Sequence, residues 1–433
     1  MKTEALSGDI LKKQFKLLGL EMKYFIPMTL VVLGATFTGA LPKGMEGVIP
    51  FLLIMGVLLN EIGNRTPIVK DYFGGGPIVA IFAAAALVTY NILPEAVILS
   101  SKTFMKSGGF LNFYIAALIT GSILGMDTKL LIKAGLKYLP VIIGGVFVSI
   151  LLTGSVGALM GYGFTNAVFY IAIPIMGGGM GAGAVPLAQI FGKAMEQDPT
   201  KLLSIMVPAV ALGNAVAIVC GGVLNKLGKK YKRFSGEGKL LKGQDDVRIE
   251  EEKEIKLDYL SLGKGLLIAT TFYVLGKFLG KYIPLHPYAL MILSVAFAKL
   301  TGILKREHEE AATTWFQFVM KNFTLALLVG IGIAYTDLAA VISAFSLTYL
   351  LLVITTIIGA MIGTAIVGRL LGFHMIEGVI TAGLCMANMG GTGDIAVLSA
   401  SDRMELLPFS QISSRIGGAF MLILTSLLIN LFV

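Results

Sequence analysis

Apolar runs of roughly 17–25 residues, each long enough to cross a bilayer as a helix, alternate with short polar stretches along nearly the whole chain. Eleven read as crossings: 24–40, 46–60, 76–93, 111–126, 138–160, 202–226, 262–283, 286–303, 322–343, 346–370 and 409–433. Two further apolar stretches, 167–190 and 376–398, are interrupted near their middles by glycine. The first holds Met176-Gly177-Gly178-Gly179-Met180-Gly181-Ala182-Gly183, the second Met389-Gly390-Gly391-Thr392-Gly393-Asp394. Glycine is a poor helix former, and irregular backbone survives at bilayer depth only where it is buried in protein or lines a cavity. The two stretches therefore read as re-entrant hairpins. The pattern predicts an all-α polytopic membrane protein.

Basic residues test that choice. Place the N-terminus in the cytoplasm and let both hairpins return to the side they leave. About 27 of the 35 Lys and Arg residues then face the cytoplasm, as the positive-inside rule favours. Lys43, Lys102, Lys106, Lys193, Lys201, Lys277 and Lys281 fall outside. Full crossings would export the Lys/Arg-rich stretch 227–260. Shifting the chain by about 210 residues aligns Pro77 with Pro287, Asn112-Phe113 with Asn322-Phe323, Asp127 with Asp337, and the two MGG motifs within a few residues. Each repeat holds five crossings and a hairpin. An odd number of crossings inverts the second copy, as in many secondary transporters. The predicted organisation is a tail (1–23), with an amphipathic surface helix or a solvated segment over 9–23, and an extra first helix (24–40). Repeat 1 (46–226), a linker (227–260) and repeat 2 (262–433) follow.

Composition agrees: 56% of the 433 residues are hydrophobic and 14% charged, against about 25% charged in a soluble domain. The net charge of +9 sits in loops, so it reads as topology and not as a nucleic-acid surface. Cys220 and Cys385 fall in apolar segments and read as buried thiols. His286, His308 and His374 lack metal-ligand spacing. Nucleotide loops, nucleophile elbows and zinc signatures are absent, so the chain does not read as an enzyme. A membrane subunit of a sodium-pumping decarboxylase and a channel are the rivals to a carrier.

Arg415 is the sharpest candidate. It lies in Ser410-Gln411-Ile412-Ser413-Ser414-Arg415-Ile416-Gly417-Gly418, about two turns into the last span, some 10 Å deep at ~1.5 Å per residue. An intramembrane Arg is costly and marks a paired or cavity-facing position, and its planar fork matches a carboxylate. In the second hairpin, Gly N–H groups at a half-helix start suit an anionic oxygen. Asn388, Thr392, Ser413, Ser414 and freed carbonyls offer hard oxygens to a small cation. Asp394 can pair with Arg415, bind that cation or cap a half-helix. The first hairpin is uncharged and offers backbone donors and shape. Asn214 reads as an interhelical hydrogen bond or a ligand, and Asp127 and Asp337 as caps at membrane edges.

With GGGMGAG at 177–183, ANMGGTGD at 387–394 and QISSRIGG at 411–418, nearly the whole chain resembles the 2-hydroxycarboxylate transporter family, bacterial carriers of citrate, malate and lactate. The resemblance implies eleven spans, inverted five-helix repeats with two hairpins, a homodimer in the cytoplasmic (inner) membrane and an elevator mechanism. Arg415 then binds a substrate carboxylate, and Gly181 and the Gly390-Gly391-Thr392 tip also contact substrate. Asn388, Ser414 and the Met386 carbonyl are implied sodium ligands. Sodium–citrate members carry Asn where this chain has Met180, and Arg where it has Met389. One cation fewer suits a dicarboxylate better than a tricarboxylate. The expected function is cation-coupled uptake of L-malate or a similar 2-hydroxy acid, with sodium favoured over protons and no cofactor beyond the coupling ion. Proton symport and substrate exchange, with citrate or malate, remain as alternatives.

Overall fold

The computed structural model describes residues 16–72, 75–126, 128–242 and 258–432. Asp127, the tail before residue 16 and the linker segment 243–257 lie outside the described residues. The described chain is almost entirely helical, and eight helical segments are long and apolar enough to cross a membrane: Met45–Arg65, Glu95–Leu124, Lys137–Leu159, Pro199–Lys230, Tyr259–Leu279, Arg306–Tyr335, Leu347–Leu370 and Phe409–Ile429. The expected crossings 24–40, 76–93 and 286–303 appear as shorter apolar helices, Met22–Thr38, Gly76–Thr89 and Pro287–Thr301.

Three expectations change. No helix runs through residues 16–21: Lys16–Leu17 and Leu20–Glu21 pair antiparallel around Leu18 and Gly19, both at positive φ, a two-residue hairpin turn. The expected span 322–343 is a helix that begins at Arg306, ends at Tyr335 and is followed by Leu338–Ala344, which Asp337 caps through Ala339 N–H and Ala340 N–H. Its charged first turns are neutralised by partners. Buried Lys299 donates to Glu309 (2.7 Å) and to the Leu124 carbonyl (2.8 Å), Lys264 pairs with Glu307, and Arg306 with Glu310. Ahead of the expected span 111–126, the supposed loop is a helix, Glu95–Met105, separated from Phe110–Leu124 by a turn closing on Gly109 at φ +76.

Both glycine-broken stretches turn back on themselves. In the first, a descending arm from Phe164 to Ile175 breaks at Met176–Gly179 and returns through Met180–Ala194. Phe169 and Phe191 meet edge-to-face at 5.1 Å between its arms. The second runs from Met375 to Leu384, breaks at Cys385–Gly390 and returns as Gly391–Ser401. Glu377 meets Arg403 at its feet and Asn388 meets Asp394 at its tip.

The helices sort into two packing groups. One contains Met45–Arg65, Gly76–Thr89, Glu95–Leu124, Tyr259–Leu279, Pro287–Thr301 and Arg306–Tyr335. The other contains the Thr128–Leu159, Pro199–Lys230 and Leu347–Leu370 helices, both hairpins and the last helix. Three contacts join residues 210 positions apart: the Tyr114 and Thr324 hydroxyls (2.8 Å), the Ser149 and Gly359 backbones, and Gly179 against Met389 at the hairpin tips.

Candidate functional site

The hairpin tips meet because glycine lets them. Gly179 has φ +110, and a Cβ there would lie 2.9 Å from the Met389 carbonyl and the Gly390 nitrogen. Gly178 has φ +81, and its Cβ would lie 2.5 Å from the Ser414 carbonyl. A left-handed conformation costs a residue with a Cβ about 1–2 kcal/mol, and the clash adds to it. Gly179→Ala is expected to leave the protein in the membrane but cut substrate uptake at least about tenfold by parting the tips. Uptake per reconstituted carrier checks this, and full activity would show that the tips need not touch.

Four π-helical segments lie in these arms and beside them: Val168–Ala172, Met180–Ala184, Val379–Leu384 and, in the last helix, Ser413–Gly417. π-Bulges reorient side chains and backbone groups and are frequent at functional sites. The last one carries Ser413, Ser414 and Arg415 past the hairpin tips. Gly418 lies against the Gly177 carbonyl and Gly417 against the Met386 thioether.

Asp394 is 1% exposed and sits among oxygen groups. Asn388 Nδ2 donates to Asp394 Oδ1 at 2.9 Å, and Ser414 Oγ lies 3.2 and 3.1 Å from the two carboxylate oxygens and 3.1 Å from the Cys385 carbonyl. Asn388 Oδ1 accepts the Gly390 N–H at 2.7 Å. From the preceding span, Asn214 Oδ1 accepts the Met389 N–H at 3.2 Å. Asp394 is thus the centre of a buried cluster tying the second hairpin to the last helix, and the Arg415 charge acts on the same carboxylate. Among the sequence-predicted cation ligands, Asn388 and Ser414 come together here. The hydroxyl of Ser413 and the whole of Met386 are buried nearby. The carbonyl that Ser414 reaches is that of Cys385. Among the described residues no three His, Cys, Asp or Glu side chains cluster as a metal site.

Arg415 is half-buried, its guanidinium 5.9 Å from the centre of the Phe316 ring in the opposite helix group. Gly181 and Gly390 are half-exposed and Gly391 is exposed; nothing lies within 4 Å of where a Gly391 Cβ would stand. Open space therefore fronts the N-terminus of the Gly391–Ser401 helix, where first-turn N–H groups, that of Thr392 included, lack helical partners. Gly181 faces Tyr114 and Leu327 of the other group. Met180 and Met389, expected beside the substrate, are 3% and 9% exposed. The Tyr114–Phe316–Leu327 wall and the Cys385 carbonyl carry no local motif, so sequence reading passed over them.

The chain matches the 2-hydroxycarboxylate transporter family over residues 17–427. It belongs to that family. It is 38% identical over 423 residues to the malate transporter MleP of Lactococcus lactis, covering 97% of this chain and 99% of that one. It is 36% identical over 408 residues to the Na(+)-malate symporter of Bacillus subtilis, covering 94% and 90%, and 37% identical over 418 residues to the citrate transporter CitP of Leuconostoc mesenteroides, covering 96% and 94%. As a 2-hydroxycarboxylate transporter family member with eight long apolar helices, the chain is an integral membrane transporter and not an enzyme.

Proposed function

We propose that this transporter takes up a 2-hydroxycarboxylate, L-malate first, together with sodium across the cytoplasmic membrane. The observation that carries the reading is a half-buried Arg415 beside an open helix N-terminus, next to a buried Asp394 cluster of oxygen ligands. Arg415 takes one substrate carboxylate, and the Gly390–Thr392 tip and Gly181 hold the remainder. Sodium, as co-substrate, binds among Asp394, Asn388, Ser414 and the Cys385 carbonyl. Such hard oxygens, several of them freed by broken helix, are the usual sodium ligands of transporters. Met389, where sodium–citrate carriers have Arg, leaves the pocket one cation poorer than theirs, which favours a dicarboxylate. Relatives that are sodium symporters of malate and of citrate support the coupling ion.

Alternating access follows an elevator scheme: the group holding both hairpins slides against the other, with two copies of the chain joined through the latter. Eleven crossings and a cytoplasmic N-terminus complete the topology. The three self-matching contacts at one separation support a pseudo-two-fold axis between inverted repeats, because residues on such an axis touch their own counterparts. Partial loading leaves a charge unpaired in a low-dielectric site at a cost of several kcal/mol, so only fully loaded or empty domains move.

Malate uptake into proteoliposomes is expected to rise with an inward sodium gradient and to persist weakly in potassium buffer. Equal uptake in both buffers would replace sodium with a proton on the same buried carboxylate, or with exchange. A counterflow panel of malate, citrate and lactate ranks the substrates, and citrate ahead of malate would overturn the first choice.

A further inference from the structure

We propose that Tyr231–Lys242, the start of the linker between the halves, is a fixed clasp on the feet of the second hairpin, and that Glu377 and Arg403 are positioning residues through which it sets sodium affinity. The proposal rests on the sodium site above.

Glu377 is the one carboxylate on the hairpin's first arm, and it is fully buried. Its Oε2 accepts the Gly236 N–H at 2.8 Å. Its Oε1 accepts the Ser235 hydroxyl at 2.9 Å, Arg403 Nε at 3.2 Å and the Gly238 N–H at 3.5 Å. Arg403, 8% exposed, also donates to Ser235 Oγ at 3.1 Å and to the Asp402 carbonyl at 2.8 Å. The linker then runs beside the chain leading into the hairpin. His374 N–H donates to the Leu240 carbonyl and Lys242 N–H to the Gly372 carbonyl, both at 2.9 Å, around a Leu241–Phe373 bridge. Glu377 opens the first arm and Arg403 follows the second, so one buried ion pair and one strap of linker gather both feet.

The feet matter because the ion's ligands are divided between the arms. Cys385 follows the first arm and Asp394 stands on the second, each some 12–14 Å from the ion pair at ~1.5 Å per residue, and Asn388 lies in the break between them. Glu377 and Arg403 touch neither ion nor substrate. They hold the spacing that brings Asn388 and Asp394 to 2.9 Å. A buried carboxylate with four donors does not release its partners readily, because each partner lost leaves charge uncompensated. The strap therefore travels with the hairpin.

The test uses the full-length carrier in proteoliposomes and, separately, hydrogen exchange of peptides covering 231–242 and 386–398 in sodium and in potassium. Glu377→Gln is expected to raise half-saturating sodium about tenfold, as loss of an outer-shell partner does elsewhere, with uptake at saturating sodium within about twofold. Exchange should quicken in both peptides together. Arg403→Lys, which keeps the charge, should shift sodium dependence less. Ser235→Ala removes one donor only, and a shift of the same sign is expected where Glu377→Gln fails to fold. Lowered maximal uptake at unchanged half-saturating sodium, or a loosened 231–242 peptide with an unaltered 386–398 peptide, would overturn the proposal. A wild-type carrier indifferent to sodium in both assays would instead remove the sodium site, and joint loosening of the two peptides would still uphold the clasp.

Discussion

Arg415→Ala is expected to abolish malate uptake. The guanidinium is half-buried where the two helix groups meet, 5.9 Å from the centre of the Phe316 ring. On the proposed function, a substrate carboxylate docked there would be held by a charge-assisted fork. Truncating one partner of such a pair costs about 2–5 kcal/mol, or roughly 30- to several-thousand-fold in uptake efficiency. That takes transport to background. Arg415→Lys keeps the charge and loses the fork, so a small residue of activity is expected. Initial rates per reconstituted carrier measure both. Sodium should still protect the second hairpin from hydrogen exchange in Arg415→Ala, which separates a lost clamp from a collapsed fold. Undiminished uptake would exclude Arg415 from substrate binding.

Asp394→Asn should rank second, and its signature differs. The amide keeps the shape and can still accept from Ser414 or Asn388, so the hairpin stays tied to the last helix. What goes is the negative charge at the centre of the cluster. A unit charge about 4 Å from a cation at an effective dielectric of 20 is worth about 4 kcal/mol, near three orders of magnitude in sodium affinity. Uptake at ordinary sodium should therefore fall to a few per cent or less and no longer respond to the sodium gradient. Unaltered sodium dependence in this variant would place the ion elsewhere.

Much of this was legible in the chain. The glycine breaks, Arg415 with its flanking serines and glycines, and the oxygen-bearing residues around Gly390 stand in contiguous motifs, and hydropathy averaged over one segment is enough to find a helix. The errors share a cause. Residues 306–321 look like loop because they hold Arg306, Glu307, Glu309 and Glu310, yet they are helix because Lys264 and Lys299, on other helices, neutralise two of those acids. Residues 95–105 look like loop because of Lys102, while Val97 and Met105 of the same helix are buried. Residues 16–21 have too few positions to show a period, and the Leu18-Gly19 turn decides them.

Local pattern sufficed for the helical membrane fold, the two broken segments and the family, since each depends on residues close together in sequence. The role of Asp394 did not yield to it: cap, partner of Arg415 and cation ligand were equally good readings of one residue. Only the tertiary structure shows its contacts with Asn388 and Ser414, and likewise those of Glu377 with Ser235 and Arg403 at the hairpin's feet. A buried charge is defined by the partners that fold around it. Those partners lie 6, 20, 142 and 26 positions away, mostly beyond the reach of any helical period and set only by how the arms and the last helix pack.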